Sequence, residues 1–176
     1  MTDHDRLEQE ILPHLPAAYT LARWLTGDAH DAEDVVQEAL LRALRGLAQS
    51  RGDNPRAWVL TIVRNTAYTW LRRHRPQEIQ PMPDELPAPA DTATLPDAGL
   101  IGAERKLALQ RALAKLPLAF REILVLREVE GLSYQAIAEV AQVPIGTVMS
   151  RLSRARDQLA ELVGPELAGD PPEARS

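Results

Sequence analysis

Between Asp31 and Leu47 apolar residues recur at Ala32, Val35, Val36, Ala39, Leu40, Ala43, Leu44 and Leu47, while Asp31, Glu33, Asp34, Gln37, Glu38, Arg42 and Arg45 fill the positions outside that stripe. Steps of three and four predict a helix with one wide face packed inward and the other free to bind. Asn54 and Pro55 supply an N-cap and a first-turn proline for a second helix, which runs to about Arg75 before Pro76 ends it. Its inward residues by phase are Val59, Ile62, Val63, Thr66 and Trp70, with Trp58 at the edge of the arc. The opposite face then carries Arg64, Asn65, Tyr68 and Arg72, followed by Arg73, His74 and Arg75.

Further along, Leu107, Ala108, Ala112 and Leu113 mark one helix, stopped near Leu116 and Pro117, and Phe120, Ile123, Leu124 and Leu126 mark another that ends at Gly131. Ser133 then caps a short helix whose buried stripe is Ile137, Ala138 and Ala141, and Val143 with Pro144 makes a turn. From Ile145 onward Val148, Leu152, Ala155 and Leu159 share one face, so Ser150, Ser153 and Arg154 are expected outward, with Thr147 and Arg151 on one flank and Met149 and Arg156 on the other. No acid lies between Glu139 and Asp157. A short helix, a tight turn and a second helix carrying arginines form the layout that reads duplex DNA.

Charge refines the picture. The formal net charge is -5, yet residues 1–75 and 104–176 are each balanced, and the excess lies in residues 76–103, with Glu78, Asp84, Glu85, Asp91 and Asp97 and no base. That segment also holds Pro76, Pro81, Pro83, Pro87, Pro89 and Pro96 and reads as a linker between two small helical domains. The low net charge therefore says nothing against basic faces on either side. Between Asp53 and Glu78 there is no acid, so Tyr68 among arginines suits single-stranded DNA: guanidinium groups hold phosphates and a ring stacks on an unpaired base. Cysteine is absent, which excludes disulfides and cysteine-held zinc, and no apolar run approaches a membrane span. The four histidines are scattered, without metal-ligand spacing, and no phosphate-binding glycine loop or paired nucleophile and base occurs. The residues thus predict no enzyme, no cofactor, no metal and no small-molecule substrate.

Three ordered segments, residues 31–45 (Asp-Ala-Glu-Asp-Val-Val-Gln-Glu-Ala-Leu-Leu-Arg-Ala-Leu-Arg), 54–67 (Asn-Pro-Arg-Ala-Trp-Val-Leu-Thr-Ile-Val-Arg-Asn-Thr-Ala) and 133–156, separated by the acidic linker, resemble the extracytoplasmic-function (ECF) sigma factors of the sigma-70 family. The resemblance implies an all-α fold of two small helical domains. These would be region 2 over residues 5–75, a flexible linker over 76–103, region 4 over 104–163 and a flexible tail over 164–176. Asp31, Asp34, Gln37, Glu38 and Arg42 resemble the surface that docks on core RNA polymerase. Arg64, Asn65, Tyr68, Arg72 and Arg73 resemble the element that reads and helps melt the promoter -10 region. Thr147, Met149, Ser150, Arg151, Ser153 and Arg154 lie on the helix that resembles the one placed in the -35 major groove. Two positions depart from the family pattern: Met149 stands where a Lys or Arg is frequent, and Thr69 where an Asp is frequent.

The partners so implied are core RNA polymerase, promoter DNA in duplex and melted form, and an anti-sigma factor, which would hold a cytoplasmic protein inactive, in some relatives at the inner membrane. A stand-alone helix-turn-helix regulator is the alternative. It accounts for residues 133–156 but not for the pattern of residues 31–45 or the basic aromatic face after Asn54.

Overall fold

A computed structural model describes residues 2–49, 53–79 and 102–164. Helix α1 (Asp3–Arg6) runs through a π turn (Leu7–Ile11) and a 3-10 turn (Leu12–His14) into α2 (Leu15–Thr26), α3 (Ala29–Gly46) and α4 (Pro55–His74). A second helical group holds α5 (Ala103–Lys115), α6 (Leu118–Leu124) with a π turn (Val125–Val129), α7 (Tyr134–Ala141) and α8 (Ile145–Val163). No strand occurs among the described residues.

In the first group α2, α3 and α4 pack against one another. Gly27 ends α2 at φ 74, a left-handed position that glycine adopts without steric cost, and its N–H returns to the Arg23 carbonyl at 2.9 Å. The Asp28 carboxylate then accepts from the His30 and Asp31 amides and starts α3. On α3 the buried residues are Ala32, Val35, Ala39 and Ala43, whose small side chains let α2 and α4 approach closely. Leu44, expected inward, is 39% exposed because the packed stripe is narrower than the apolar one. Asn54 caps α4 as predicted, its side-chain oxygen accepting from the Ala57 amide at 3.1 Å. The helix ends at His74, just ahead of Pro76, which opens a 3-10 turn.

In the second group Ile123, Leu124, Leu126, Ile137, Val148, Leu152 and Leu159 are buried, each such side chain contributing about 1.5–3 kcal/mol. The predicted stripe of α8 is all inside, and Ser133 caps α7 through the Ala136 amide at 3.1 Å. Helix α5 buries only its C-terminal half, at Ala112 and Leu113, so Leu107 stays 51% exposed instead of joining the core.

The two groups also pack on each other, α7 and α6 of the second lying against α4 and α2 of the first. Buried polar side chains cross this boundary. Arg121 reaches the carbonyls of Leu113, Ala114 and Leu116 at the end of α5 and those of Trp24 and Leu25 at the end of α2. One cation thus serves carbonyls at two helix C-termini, where the backbone dipoles favour positive charge. Expectations for residues 80–101 of the linker and 165–176 of the tail lie outside the described residues.

Candidate nucleic-acid interfaces

Helix α7 stops at Gln142, whose φ of 57 is left-handed, and the Val143 amide bonds back to the Ala138 carbonyl at 3.2 Å. Pro144 then starts α8 by accepting from the Thr147 and Val148 amides. This is the tight turn expected from Val143 and Pro144. Arg127 stiffens the approach to α7, lying 4.5 Å over the Tyr134 ring and donating to the Leu132 carbonyl. Along α8 the side chain of Met149 is 47% exposed, and Thr147, Ser150, Arg151 and Arg154 are half-buried. Ser153 departs from the outward position that periodicity gives it and is buried. The helix has α5, α6 and α7 as neighbours, so it is covered on more than the side its apolar stripe marks. Arg156 is held by Glu128, at 3.1 Å from Nε.

The α4 face is built differently from its sequence expectation. Arg72 and Arg73 are exposed on the last turn, and Asn65 is half-buried. Tyr68, expected as an exposed ring, is only 7% exposed: the second helical group packs on α4 mainly through α7, and Glu122 of α6 takes the phenol hydroxyl. Its hydroxyl donates to Glu122 Oε2 at 2.8 Å, while Arg64 donates from Nε to Glu122 Oε1 at 2.6 Å. The Arg64 guanidinium lies 3.9 Å over the Tyr68 ring, and its Nη1 donates to Asn65 Oδ1 at 3.3 Å. Glu122 itself is wholly buried. Burial and then the Glu122 charge push the Tyr68 phenol well above its ordinary pKa. Burial acts against the Arg64 charge, but the Glu122 carboxylate outweighs it and holds that guanidinium above its usual value.

Trp70, expected in the core, is half-buried and stacks on His74 with ring centroids 4.2 Å apart, and the Arg75 guanidinium lies 5.2 Å from the centroid of the Trp70 ring. Arg75 is structural: it donates to the Thr26 carbonyl at 2.5 Å and lies 3.5 Å from Asp31. The Thr69 hydroxyl donates to the Asn65 carbonyl of its own helix at 3.0 Å.

On α3, Asp34 and Gln37 are exposed, and Glu38 pairs with Arg42 at 2.6 Å one turn on. Such a pair adds only about 0.3–0.5 kcal/mol to a helix, so its charges are available to a partner. Leu41, 55% exposed, and Leu44 stand beside these polar groups. The sequence pattern assigned Leu44 to the core, and an apolar patch within the polar face was the feature it missed.

Residues 11–77 match the family model of sigma-70 region 2, and residues 106–159 that of sigma-70 region 4. The ECF RNA polymerase sigma factor SigE of Mycolicibacterium smegmatis is 35% identical over 159 residues, covering 88% of this chain, which spans 60% of that relative's length. The RNA polymerase sigma-H factor of Pseudomonas aeruginosa is 36% identical over 148 residues, covering 80% of this chain and 77% of its own. Among solved structures, the sigma factor RpoE of Bartonella quintana, in complex with the anti-sigma factor NepR, superimposes with a TM-score of 0.68 at 29% identity, covering 89% of this chain and 96% of its own.

Proposed function

The chain belongs to the extracytoplasmic-function branch of the sigma-70 family, and from that premise we propose how its surfaces divide the work of starting transcription. The protein is a sigma factor: it binds core RNA polymerase and directs promoter-specific initiation. Residues 5–75 act as region 2, residues 104–163 as region 4, and residues 76–103 as the linker between them. The exposed side of α3, with Asp31, Asp34, Gln37, Glu38 and Arg42, docks on the polymerase, and the adjoining Leu41 and Leu44 give that contact an apolar part.

Region 2 reads the melted -10 strand with Arg64, Asn65, Tyr68, Arg72 and Arg73, and region 4 reads the -35 duplex with Thr147, Met149, Ser150, Arg151 and Arg154, the buried Ser153 being left out of that surface. The observation that carries this reading is the placement of two exposed cations, Arg72 and Arg73, at the end of the helix that bears the Arg64–Tyr68 stack. Exposed cations match the phosphates of an unpaired strand, and the Tyr68 ring, buried here, would stack on a base only once uncovered. The -35 assignment rests on the tight turn before α8 and on Met149 and Arg151 along that helix.

The protein works by binding and melting rather than by a reaction of its own, and its place of action is the cytoplasm. None of the helices described is long and apolar enough to cross a membrane, and we assign any hold at the inner membrane to an anti-sigma partner. The likeness to a sigma factor held by an anti-sigma factor supports such a partner. The test is to sequence the transcripts that core polymerase makes on genomic DNA with and without this chain. Start sites that appear only with the chain and share -35 and -10 blocks at one spacing support the reading. No new start sites, with the chain failing to co-elute with core, would return it to a stand-alone regulator.

A further inference from the structure

We propose that Glu122 is a latch that keeps the free chain shut, holding Arg64 and Tyr68 beneath region 4 until polymerase separates the two regions. The placement of Glu122 carries the argument. It stands on α6, is wholly buried, and spends one carboxylate oxygen on Arg64 and the other on Tyr68, both on α4. A buried carboxylate is costly unless its oxygens are satisfied by well-placed donors, and both donors here come from region 2.

Two further ties cross the same boundary. Arg121, next to Glu122, reaches the Trp24 and Leu25 carbonyls of region 2. Arg56 of α4 donates to the Glu130 carbonyl at 2.6 Å and to its carboxylate at 2.9 Å. The closed arrangement is therefore specified by charge as well as by apolar contact: region 4 offers carboxylates where region 2 offers arginines. Single-stranded DNA would ask for the same groups. A phosphate would take the place of the Glu122 carboxylate on Arg64, and a base would need the Tyr68 ring that is buried in the closed chain. Binding of -10 DNA and closure are then mutually exclusive, which would keep free protein off single-stranded DNA. This last step rests on the assignment of Arg64 and Tyr68 to the -10 strand; the latch itself does not.

The chain has no cysteine, so spin labels can be placed on Gln9→Cys and Gln158→Cys, both exposed and outside the contacts described. The doubly labelled full chain should give one narrow distance when free and a longer one with core polymerase. Glu122→Ala should broaden the free-state distance and raise affinity for a single-stranded -10 oligonucleotide roughly tenfold, the loss of about one charged hydrogen bond. Because Glu122→Ala removes a buried group, a rim pair supplies the second arm. Arg56→Glu should open the chain by repulsion from Glu130, and adding Glu130→Arg should close it again. A broad distance in the unsubstituted free chain, or a narrow one that survives both Glu122→Ala and Arg56→Glu, overturns the latch. A chain that opens without gaining affinity for the oligonucleotide supports the latch and removes the -10 role of Arg64 and Tyr68.

Discussion

Arg156 on α8 donates from Nε to Glu128 at 3.1 Å, so a cation on the flank of the surface proposed for -35 DNA is neutralised from within region 4. Sequence position alone counts Arg156 as one more charge for DNA. The pair fixes α8 to the turn after α6 and withholds that charge. Glu128→Gln should release it and steepen the salt dependence of duplex binding by up to about one unit. An unchanged slope in filter binding over a salt series would place Arg156 away from the DNA.

Arg151 is half-buried on α8, the helix proposed to meet the -35 duplex. Arg151→Ala should weaken -35 promoter binding by about 1–3 kcal/mol if the arginine grips a base bidentately, with specificity relaxed at that position. A loss equal on all sequences, with the salt slope reduced by about one, would mean a phosphate contact instead. No loss of either kind would remove Arg151 from the interface.

Polymerase docking should separate from folding. Asp34 is exposed on α3, away from the buried Ala32, Val35 and Ala39. Asp34→Lys should abolish co-elution with core polymerase while changing stability by no more than about 0.5 kcal/mol, the usual range for surface substitutions. Co-elution at the original strength would place the docking surface elsewhere.

The buried phenol gives a pH signature. The chain has three tyrosines, and burial together with the Glu122 charge raises the pKa of Tyr68. Its unfolded counterpart titrates near pH 10. The unfolded chain therefore releases this proton first on the alkaline side. The stability from the neutral, hydrogen-bonded phenol is full below about pH 10 and lost as pH rises toward the higher folded value. Ultraviolet titration of the native chain should show one tyrosine lagging the others, and Tyr68→Phe should remove the lag. Ionisation of all three together would contradict the buried Tyr68–Glu122 bond.

Much of the fold is legible in the sequence because α7 and α8 each show a clear inward stripe: Ile137 and Ala141, then Val148, Leu152, Ala155 and Leu159, are buried as their spacing predicts. The caps at Asn54 and Ser133 are local signals and stand where the chain announces them. Helix α4 is less readable. Beyond Val59, Val63 and Thr66 it buries Leu60, Ala67, Tyr68 and Leu71, since it packs within region 2 and also under region 4. No periodicity in residues 55–74 reveals that second cover, because the partner, Glu122, lies 54 residues beyond Tyr68. An exposed arginine and a paired one look alike in sequence, so Arg72 and Arg64 read as equals although one is exposed and the other tied to Glu122. Ser153 fails for the same reason, a polar residue covered by a neighbour its own helix does not announce.

The most direct test of the account is permanganate reactivity of promoter thymines. Core polymerase with this chain should make thymines around the -10 block reactive, and core alone should not. Tyr68→Ala and Arg72→Ala should each lower that reactivity while leaving co-elution with core nearly intact, because an unpaired base loses its stacking surface or its phosphate its anchor. A premelted template should partly restore Arg72→Ala. Full reactivity with both variants would contradict the assignment of the α4 face to the melted strand, and no reactivity with the unsubstituted chain would contradict the account as a whole.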